Sequence, residues 1–279
     1  MLNRIRSLGK LSLRRWPKLF AAAKHCYGNL TYRLRIPHDP DFAFFRNFAG
    51  RTGLLVDVGA NTGQSARSVR IFNRSLDVLS FEPNRLLATE LQATRRLLGP
   101  GFDYRMVGLG RREQTITLYC PMAGDTPLTP WATADRTALE RNRAHIEREV
   151  GTSIHVTSVP IEIRRFDDLG LHPVAVKIDV EGLELNVLQG MRETLERDEP
   201  ILMIECSAST PEVAALLATF GYHTYEYNPR ANTIRETSDP AATTNYFACT
   251  AAALERLVDS SSLKIIVPRT VGSNQKLAV

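Results

Sequence analysis

The apolar run Leu54-Leu55-Val56-Asp57-Val58, passing directly into Gly59-Ala60-Asn61-Thr62-Gly63, constrains this chain more than any other feature. A buried strand that feeds a glycine turn and then a helix, here from about Gln64, is the opening unit of an α/β sheet. Glycine accepts positive φ and carries no side chain, so Gly59 and Gly63 let backbone come close to a nucleotide-like ligand. Asn61 is the non-glycine type that best tolerates left-handed geometry. A dinucleotide pocket would ask for GxGxxG to seat its pyrophosphate, and that fingerprint is absent. Without a ligand, the same residues read as a tight strand-to-helix turn.

Downstream of Gly53, short apolar runs alternate with helical patterns, the signature of βαβ units and a mainly parallel sheet. Val78–Glu82 reads as the second strand. A helix continues from there to about Leu98, with Leu87, Leu91 and Leu98 on one face, stopped by Gly99-Pro100-Gly101. Phe102–Val107, Gln114–Tyr119 and Ser153–Ile163 read as further strands. Between them, Pro121–Gly151 breaks the rhythm with three prolines and a charged helical pattern. Val174–Val180 and Ile201–Glu205 are strong strands, and Tyr222–Tyr227 with Asn245–Thr250 closes the sheet as an antiparallel pair. The expected organisation is a basic helical segment over 1–48, an α/β domain over 49–252 with an insert at about 121–151, and a C-terminal extension over 253–279.

Charge is distributed unevenly. Residues 1–38 hold nine Lys or Arg and no acid, leaving 26 basic and 30 acidic residues in the remainder. A mildly acidic body with a basic leader does not read as a nucleic-acid-binding domain. In residues 1–20, Leu2, Ile5, Leu8, Leu13, Trp16, Leu19 and Phe20 recur at roughly helical spacing, with Pro17 dividing them into two pieces. Such a segment suits an anionic membrane surface, contacted through residues 1–36, or equally the acidic surface of its own domain. An organellar targeting peptide is a further reading. Cys26, Cys120, Cys206 and Cys249 lie far apart with no CxxC pair, which fits neither a disulfide framework nor a zinc site and suits a reducing cytoplasm.

The chemistry-bearing residues fall at strand ends, where open α/β sheets bind their ligands. Asp57 would attract a positively charged amino-acid moiety. Glu82, nineteen residues beyond Gly63, would accept hydrogen bonds from both hydroxyls of a ribose. Asp179 and Glu205 end two later strands and point toward a second substrate. Lys177, two residues from Asp179 on the same strand face, would hold that carboxylate ionised. Each acid also has a structural reading: helix cap, solvated group, or partner of Lys177. Glu184 and Glu181 read as first-turn helix acids, His145 as a solvated helix residue, and Trp131 as an anchor of the insert or a pocket wall.

Val56-Asp-Val-Gly-Ala-Asn-Thr-Gly63, Phe81-Glu-Pro-Asn84, Lys177-Ile-Asp-Val-Glu-Gly-Leu-Glu184 and Ile201-Leu-Met-Ile-Glu205 occur in this order. Over about residues 50–250 the chain thereby resembles the FkbM family of methyltransferases, many of which methylate sugar or polyketide hydroxyls. The resemblance implies a class I, Rossmann-like fold: a seven-stranded, mostly parallel sheet with one antiparallel strand. It implies S-adenosylmethionine as cofactor, with Asp57, Gly59, Asn61 and Gly63 at its methionine end, Glu82 at the ribose, and Gly108 and Leu109 at the adenine. Asp179 and Glu205 are then the catalytic candidates. Mg²⁺ held by those two acids is the weaker alternative to a metal-free site, because two carboxylates make a thin ligand set. The expected partner is a small-molecule or lipid-linked sugar acceptor, and the expected location is the cytoplasm or the inner face of its membrane. Rival readings are a nicotinamide-dependent oxidoreductase and a non-catalytic scaffold or membrane-binding protein that keeps the fold. The acceptor tract, Pro121–Gly151, carries nothing that can be transferred from relatives.

Overall fold

The computed structural model describes residues 28–266; the leader before residue 28 and the tail after 266, with the expectations placed on them, lie outside the described residues. The chain runs β1 (Gly53–Val58), α1 (Gln64–Phe72), β2 (Leu76–Phe81), α2 (Ala88–Leu98), β3 (Phe102–Arg105) and β4 (Gly108–Leu109). It continues through β5 (Gln114–Ala123), β6 (Thr126–Pro127), α3 (Arg136–Val150), β7 (His155–Arg164) and β8 (Pro173–Ile178). The last part is α4 (Glu184–Gln189), α5 (Arg192–Asp198), β9 (Ile201–Glu205), α6 (Thr210–Ala218), β10 (Tyr222–Asn228), β11 (Thr233–Glu236), β12 (Asn245–Thr250), α7 (Ala251–Asp259) and β13 (Lys264–Ile266).

The main sheet has the order β13-β11-β10-β12-β9-β8-β1-β2-β3. Its seven strands from β10 to β3 are the expected set, with β12 antiparallel to both β9 and β10 and parallel pairing along β9, β8, β1, β2 and β3. The sheet is larger than seven strands because the turn after β10 returns as β11, and β13 then covers that new edge. The expected strand Phe102–Val107 ends early: β3 stops at Arg105 in the main sheet, and β4, just beyond Val107, joins β5, β6 and β7 in a second sheet. That sheet is chiefly a long β5–β7 hairpin, and α3 packs on it through Leu139, Ile146 and Val150, with Trp131 as an anchor. His145 is exposed on α3.

Burial alternates along the strands and divides the core in two. Leu55, Val78, Ala175, Met203 and Phe247 face one side; Val56, Leu79, Val176, Leu202 and Tyr246 face the other, toward α4, α5 and α6. The first side is filled by α1, α2, α7 and a 3₁₀ segment, Pro40–Phe48, whose Phe42, Phe44, Phe45 and Phe48 are all buried. Phe44 meets Phe247 of β12 with ring centroids 4.2 Å apart, and Leu254 and Leu257 of α7 join the same cluster. Tyr32 packs against this cluster as well, and Arg35 donates to the Ile71 carbonyl. The divisions expected at 48 and 253 are therefore not packing boundaries, because both flanks share the domain's core. Among the described residues, no helix is long and apolar enough to cross a membrane.

Candidate active site

The strand order reverses between β1 and β8, since β1 to β3 run outward one way and β8 and β9 the other. A crevice opens at such a point beyond the carboxyl ends of the strands. Strand alternation decides what reaches it. On the face packed by α1 and the 3₁₀ segment, apolar positions give way at this edge to Asp57 on β1, Ser80 on β2, Lys177 and Asp179 at the end of β8, Glu205 on β9 and Asn245 on β12.

The turn after β1 is built from three left-handed residues: Gly59 (φ 87), Asn61 (φ 49) and Gly63 (φ 81). Its amides are anchored on the neighbouring strand, with Gly59 N and Ala60 N both donating to the Phe81 carbonyl. A Cβ at Gly59 would lie 1.8 Å from the carbonyl oxygen of Asp179, so this glycine is fixed by the approach of the β8 loop. A Cβ at Gly63 would meet Thr94 of α2 at 2.7 Å. The missing side chain at Gly63 thus serves helix packing, which sequence reasoning had assigned to ligand approach.

Glu82 ties this turn to the segment leading into α2. Its carboxylate accepts from Asn61 N at 2.8 Å and from Asn84 N at 2.9 Å. Burial nevertheless outweighs these donors and pushes its pKa up to about 7. Pro83 lies beside Gly108, whose Cβ direction it would contact, and Leu109 is buried in the cluster containing Phe81 and Phe166. Gly108 and Leu109 therefore adjoin the acid at the end of β2.

Asp57 is fully buried. Its Oδ2 accepts from the Ser80 hydroxyl at 2.7 Å, while Oδ1 has no hydrogen-bond partner and lies 3.7 Å from the Lys177 ammonium. Burial raises its pKa against the pull of Lys177 and Ser80. Asn61 Oδ1 is likewise buried without a partner. Two unsatisfied acceptors at the mouth of one turn suit a cationic, hydrogen-bond-donating ligand such as an amino-acid ammonium.

Lys177, only 3% exposed, also donates to Asp179 Oδ2 at 2.8 Å, so it bridges the two acids; the sequence had suggested only the second contact. Asp179 and Glu205 share a hydrogen bond. That bond, with burial, pushes Glu205 up to about 8. Burial disfavours the Asp179 charge, but Lys177 and Glu205 outweigh it and hold that pKa below the usual range. At neutral pH the pair carries one shared proton, with Glu205 the donor. Among the described residues, no three His, Cys, Asp or Glu side chains assemble as a metal site.

Glu184 is 1% exposed and is more than a dipole partner of its helix. It accepts from Gly182 N at 2.9 Å, and from the Ser207 and Ser209 hydroxyls at 2.6 and 3.0 Å. It thereby locks the loop after β8 to the loop after β9. Glu181 is not helical; it holds a left-handed φ of 54 in the first of those loops. Two residues that sequence reasoning missed come from the 3₁₀ entry. His38 is held at Ser68 of α1, and Asp41 accepts from the Asn245 amide at 3.3 Å. Their signal was the end of the acid-free leader at Asp39 and Asp41, followed by the aromatic run Phe42-Ala-Phe-Phe-Arg-Asn-Phe48.

The family model described as Methyltransferase FkbM domain matches residues 57–227. Similar solved structures include an FkbM methyltransferase from Methylobacillus flagellatus KT, 14% identical over 89% of this chain with a TM-score of 0.46; the chain spans 60% of that protein's length. A precorrin-6y C5,15-methyltransferase from Geobacter metallireducens GS-15 is 8% identical over 75% of this chain and 84% of its own, TM-score 0.39. An rRNA methylase from Streptococcus thermophilus is 9% identical over 76% of this chain and 94% of its own, TM-score 0.39. No curated protein sequence matches the chain.

Proposed function

The chain belongs to the FkbM family of methyltransferases, and from that premise we propose that it transfers a methyl group from S-adenosylmethionine to a hydroxyl of a sugar, glycolipid or polyketide. Asp57 Oδ1 and Asn61 Oδ1 would receive the ammonium of the cofactor's amino-acid end, on the turn shaped by Gly59 and Gly63. Glu82 would accept from the ribose hydroxyls, and Gly108 and Leu109 would wall the adenine. When bound, the sulfonium supplies an electrophilic methyl with a good leaving group, so the residues have mainly to align the acceptor and take its proton. The observation that carries the hydroxyl reading is the polar set gathered on one face at the sheet edge: Asp179, Glu205, Asn245 and Asp41. Ionised Asp179 accepts a hydrogen bond from one acceptor hydroxyl, while Glu205, its proton given to Asp179, offers its carbonyl oxygen to a second, a pairing suited to a polyol.

The test is Asp179→Asn, which keeps shape and removes charge. It should lower kcat by about 10²-fold or more while leaving S-adenosylmethionine affinity within a few-fold. The assay tracks labelled methyl into lipid, polysaccharide and small-molecule fractions of the source cell. Label appearing only in protein or nucleic acid would sink the hydroxyl reading. Abolition by a chelator with rescue by Mg²⁺ would replace the metal-free version.

Glu82 makes cofactor binding pH-dependent. Ribose donors favour its ionised form, and its pKa of about 7 means that the form is depleted as pH falls below neutrality. Affinity measured by calorimetry should therefore weaken below about pH 7, approaching tenfold per pH unit. Glu82→Gln should flatten that profile and lose about 1–3 kcal/mol at pH 8. An unchanged affinity and profile would displace the cofactor site.

Peripheral contact with an anionic membrane is part of the proposal, because Leu30, Leu34 and Ile36 are exposed beside Arg33 and Arg35. Full-length protein should sediment with phosphatidylserine vesicles at low salt and release as salt rises, each basic residue contributing about 1 kcal/mol. A variant lacking residues 1–27 retains Tyr32 on the core and should stay folded but sediment less. Full-length protein left in the supernatant would refute the contact.

A further inference from the structure

The register between β8 and β9 ends at Ile178 and Ile204, one residue short of Asp179 and Glu205. Each acid is held from its other side: the Asp179 amide donates to the Val58 carbonyl of β1, and Glu205 is paired with Asn245 of β12. The chain then leaves each strand in a loop, and the first of these is strained. Glu181 and Gly182, both exposed, take left-handed φ of 54 and 97 in succession, a conformation that persists only where the surroundings over-determine it.

Glu184 supplies that constraint, and each of its oxygens serves a different loop. Oε1 accepts from Val180 N at 3.4 Å and from Gly182 N at 2.9 Å, on either side of the left-handed Glu181. Oε2 accepts from Ser207 Oγ at 2.6 Å and from Ser209 Oγ at 3.0 Å. The second loop is itself anchored, since Ser207 N donates to Thr210 Oγ1 and Cys206 N to the Thr244 carbonyl, both at 2.9 Å. The carboxylate therefore joins backbone one residue beyond Asp179 to a side chain two residues beyond Glu205. It does so from the far face of the sheet. Ile178, Ile204 and Tyr246 pack in one cluster with Val187 and Leu188 of α4. Asp179, bound to Lys177 at 2.8 Å, and Glu205, opposite Asn245, lie on the other face, one pleat on. Behind the sheet and 1% exposed, Glu184 does not touch an acceptor.

We propose that Glu184 is a positioning residue for methyl transfer, its carboxylate fixing the spacing of Asp179 and Glu205 and so the pair of acceptor hydroxyls that the two acids engage. The inference rests on the methyl-transfer reading of the site. Reach, and not charge, is what this clamp requires. Glutamine has the same reach: its carbonyl oxygen accepts from the first loop while its amide donates to the serine hydroxyls, which turn to receive it. Aspartate keeps the charge but is one methylene short.

The experiment takes two readings on full-length protein: transfer of labelled methyl from S-adenosylmethionine to the accepting cell fraction, and titration of the Glu205 carboxyl by ¹³C NMR. Glu205 faces Asp179, Glu181 and Lys177, and the hydrogen bond shared with Asp179 is what chiefly lifts its pKa to about 8. With the two acids parted, that value should fall by about one pH unit or more. Glu184→Ala and Glu184→Asp should show the fall. Both should also transfer methyl on the order of 10²-fold more slowly per folded molecule, the scale of a misplacement of about 1 Å. They should bind S-adenosylmethionine within about threefold of wild type, and Glu184→Gln should stay near wild type in every reading. Undiminished transfer by Glu184→Ala, an unmoved Glu205 titration, or a Glu184→Gln as slow as Glu184→Ala overturns the assignment. If the Glu184 variants fail to fold, the double variant Ser207→Ala, Ser209→Ala decides on the same two readings, because it leaves Glu184 bound to the first loop. Wild-type protein that binds no S-adenosylmethionine would overturn the cofactor reading and, with it, this role in transfer; the spacing of the acids is then judged by the Glu205 titration alone.

Discussion

Lys177→Met is expected to be among the most destabilising conservative-volume changes in the protein, and its cost should depend on pH. The ammonium lies between Asp57 and Asp179, donating to one at 2.8 Å and standing 3.7 Å from the other. Methionine fills the same space but leaves both acids unpaired, and breaking a buried ion pair by removing one partner costs about 3–5 kcal/mol. Folding already raises the Asp57 pKa with Lys177 present, and its removal raises it further. It also takes away the main attraction that keeps Asp179 ionised. A carboxyl whose pKa is raised by folding opposes the fold only while it is charged, so stability is lost as pH rises through the folded value and recovered below it. Urea denaturation from about pH 8 to about pH 5 should show the deficit shrinking as pH falls. A deficit constant across that range would mean that the two acids do not depend on Lys177.

Gly59→Ala should cost as much through sterics alone. The added methyl would sit 1.8 Å from the Asp179 carbonyl oxygen, a distance that requires backbone to move, and the left-handed φ of 87 adds about 1–2 kcal/mol for any residue with a Cβ. The Asp179 amide is itself bound to the Val58 carbonyl, so neither side of the contact can yield alone. A loss of about 4 kcal/mol or more in thermal or urea unfolding is expected, together with loss of S-adenosylmethionine binding by calorimetry. Gly170→Ala is a suitable control: Gly170 is left-handed (φ 62, ψ 31), but a Cβ there meets nothing within 4 Å. Equal costs at both positions would show that backbone strain, and not the contact with β8, sets the requirement at Gly59.

Local information was legible where neighbours in sequence are neighbours in space. The left-handed Asn61, the Lys177–Asp179 pairing and the antiparallel closing strands all arise from spacing of a few residues or from strand periodicity. What escaped was set by partners far along the chain. Asp167 reads as one acid of a polar tract, yet it accepts from Thr194 N and Thr194 Oγ1 and so caps α5 from 27 residues away. Glu184 looks like any acid in a helix's first turn, and only the fold reveals the serines of the next loop. His38 and Asp41 were hidden by the basic leader that precedes them. Their roles depend on α1 and β12, and no motif in residues 28–48 names either partner. The passage from β3 to β4 was equally illegible, because both strands are short and extended and differ only in which sheet receives them.

The stapling of the 3₁₀ segment to the far end of the chain sets an order in time. Asp41 waits for Asn245, 204 residues later; Arg46 for Pro229, 183 later; and Asn47 for Asn232, 185 later. At ribosomal speeds of roughly 5–20 residues per second, that gap is on the order of 10–40 s. Phe42, Phe44, Phe45 and Phe48 leave the ribosome long before Phe247 and Leu254 exist to cover them, so the nascent chain displays its most aromatic stretch throughout synthesis. The polar set that joins Asp41 to Asn245 is completed only when β12 is inserted, late in the making of the domain.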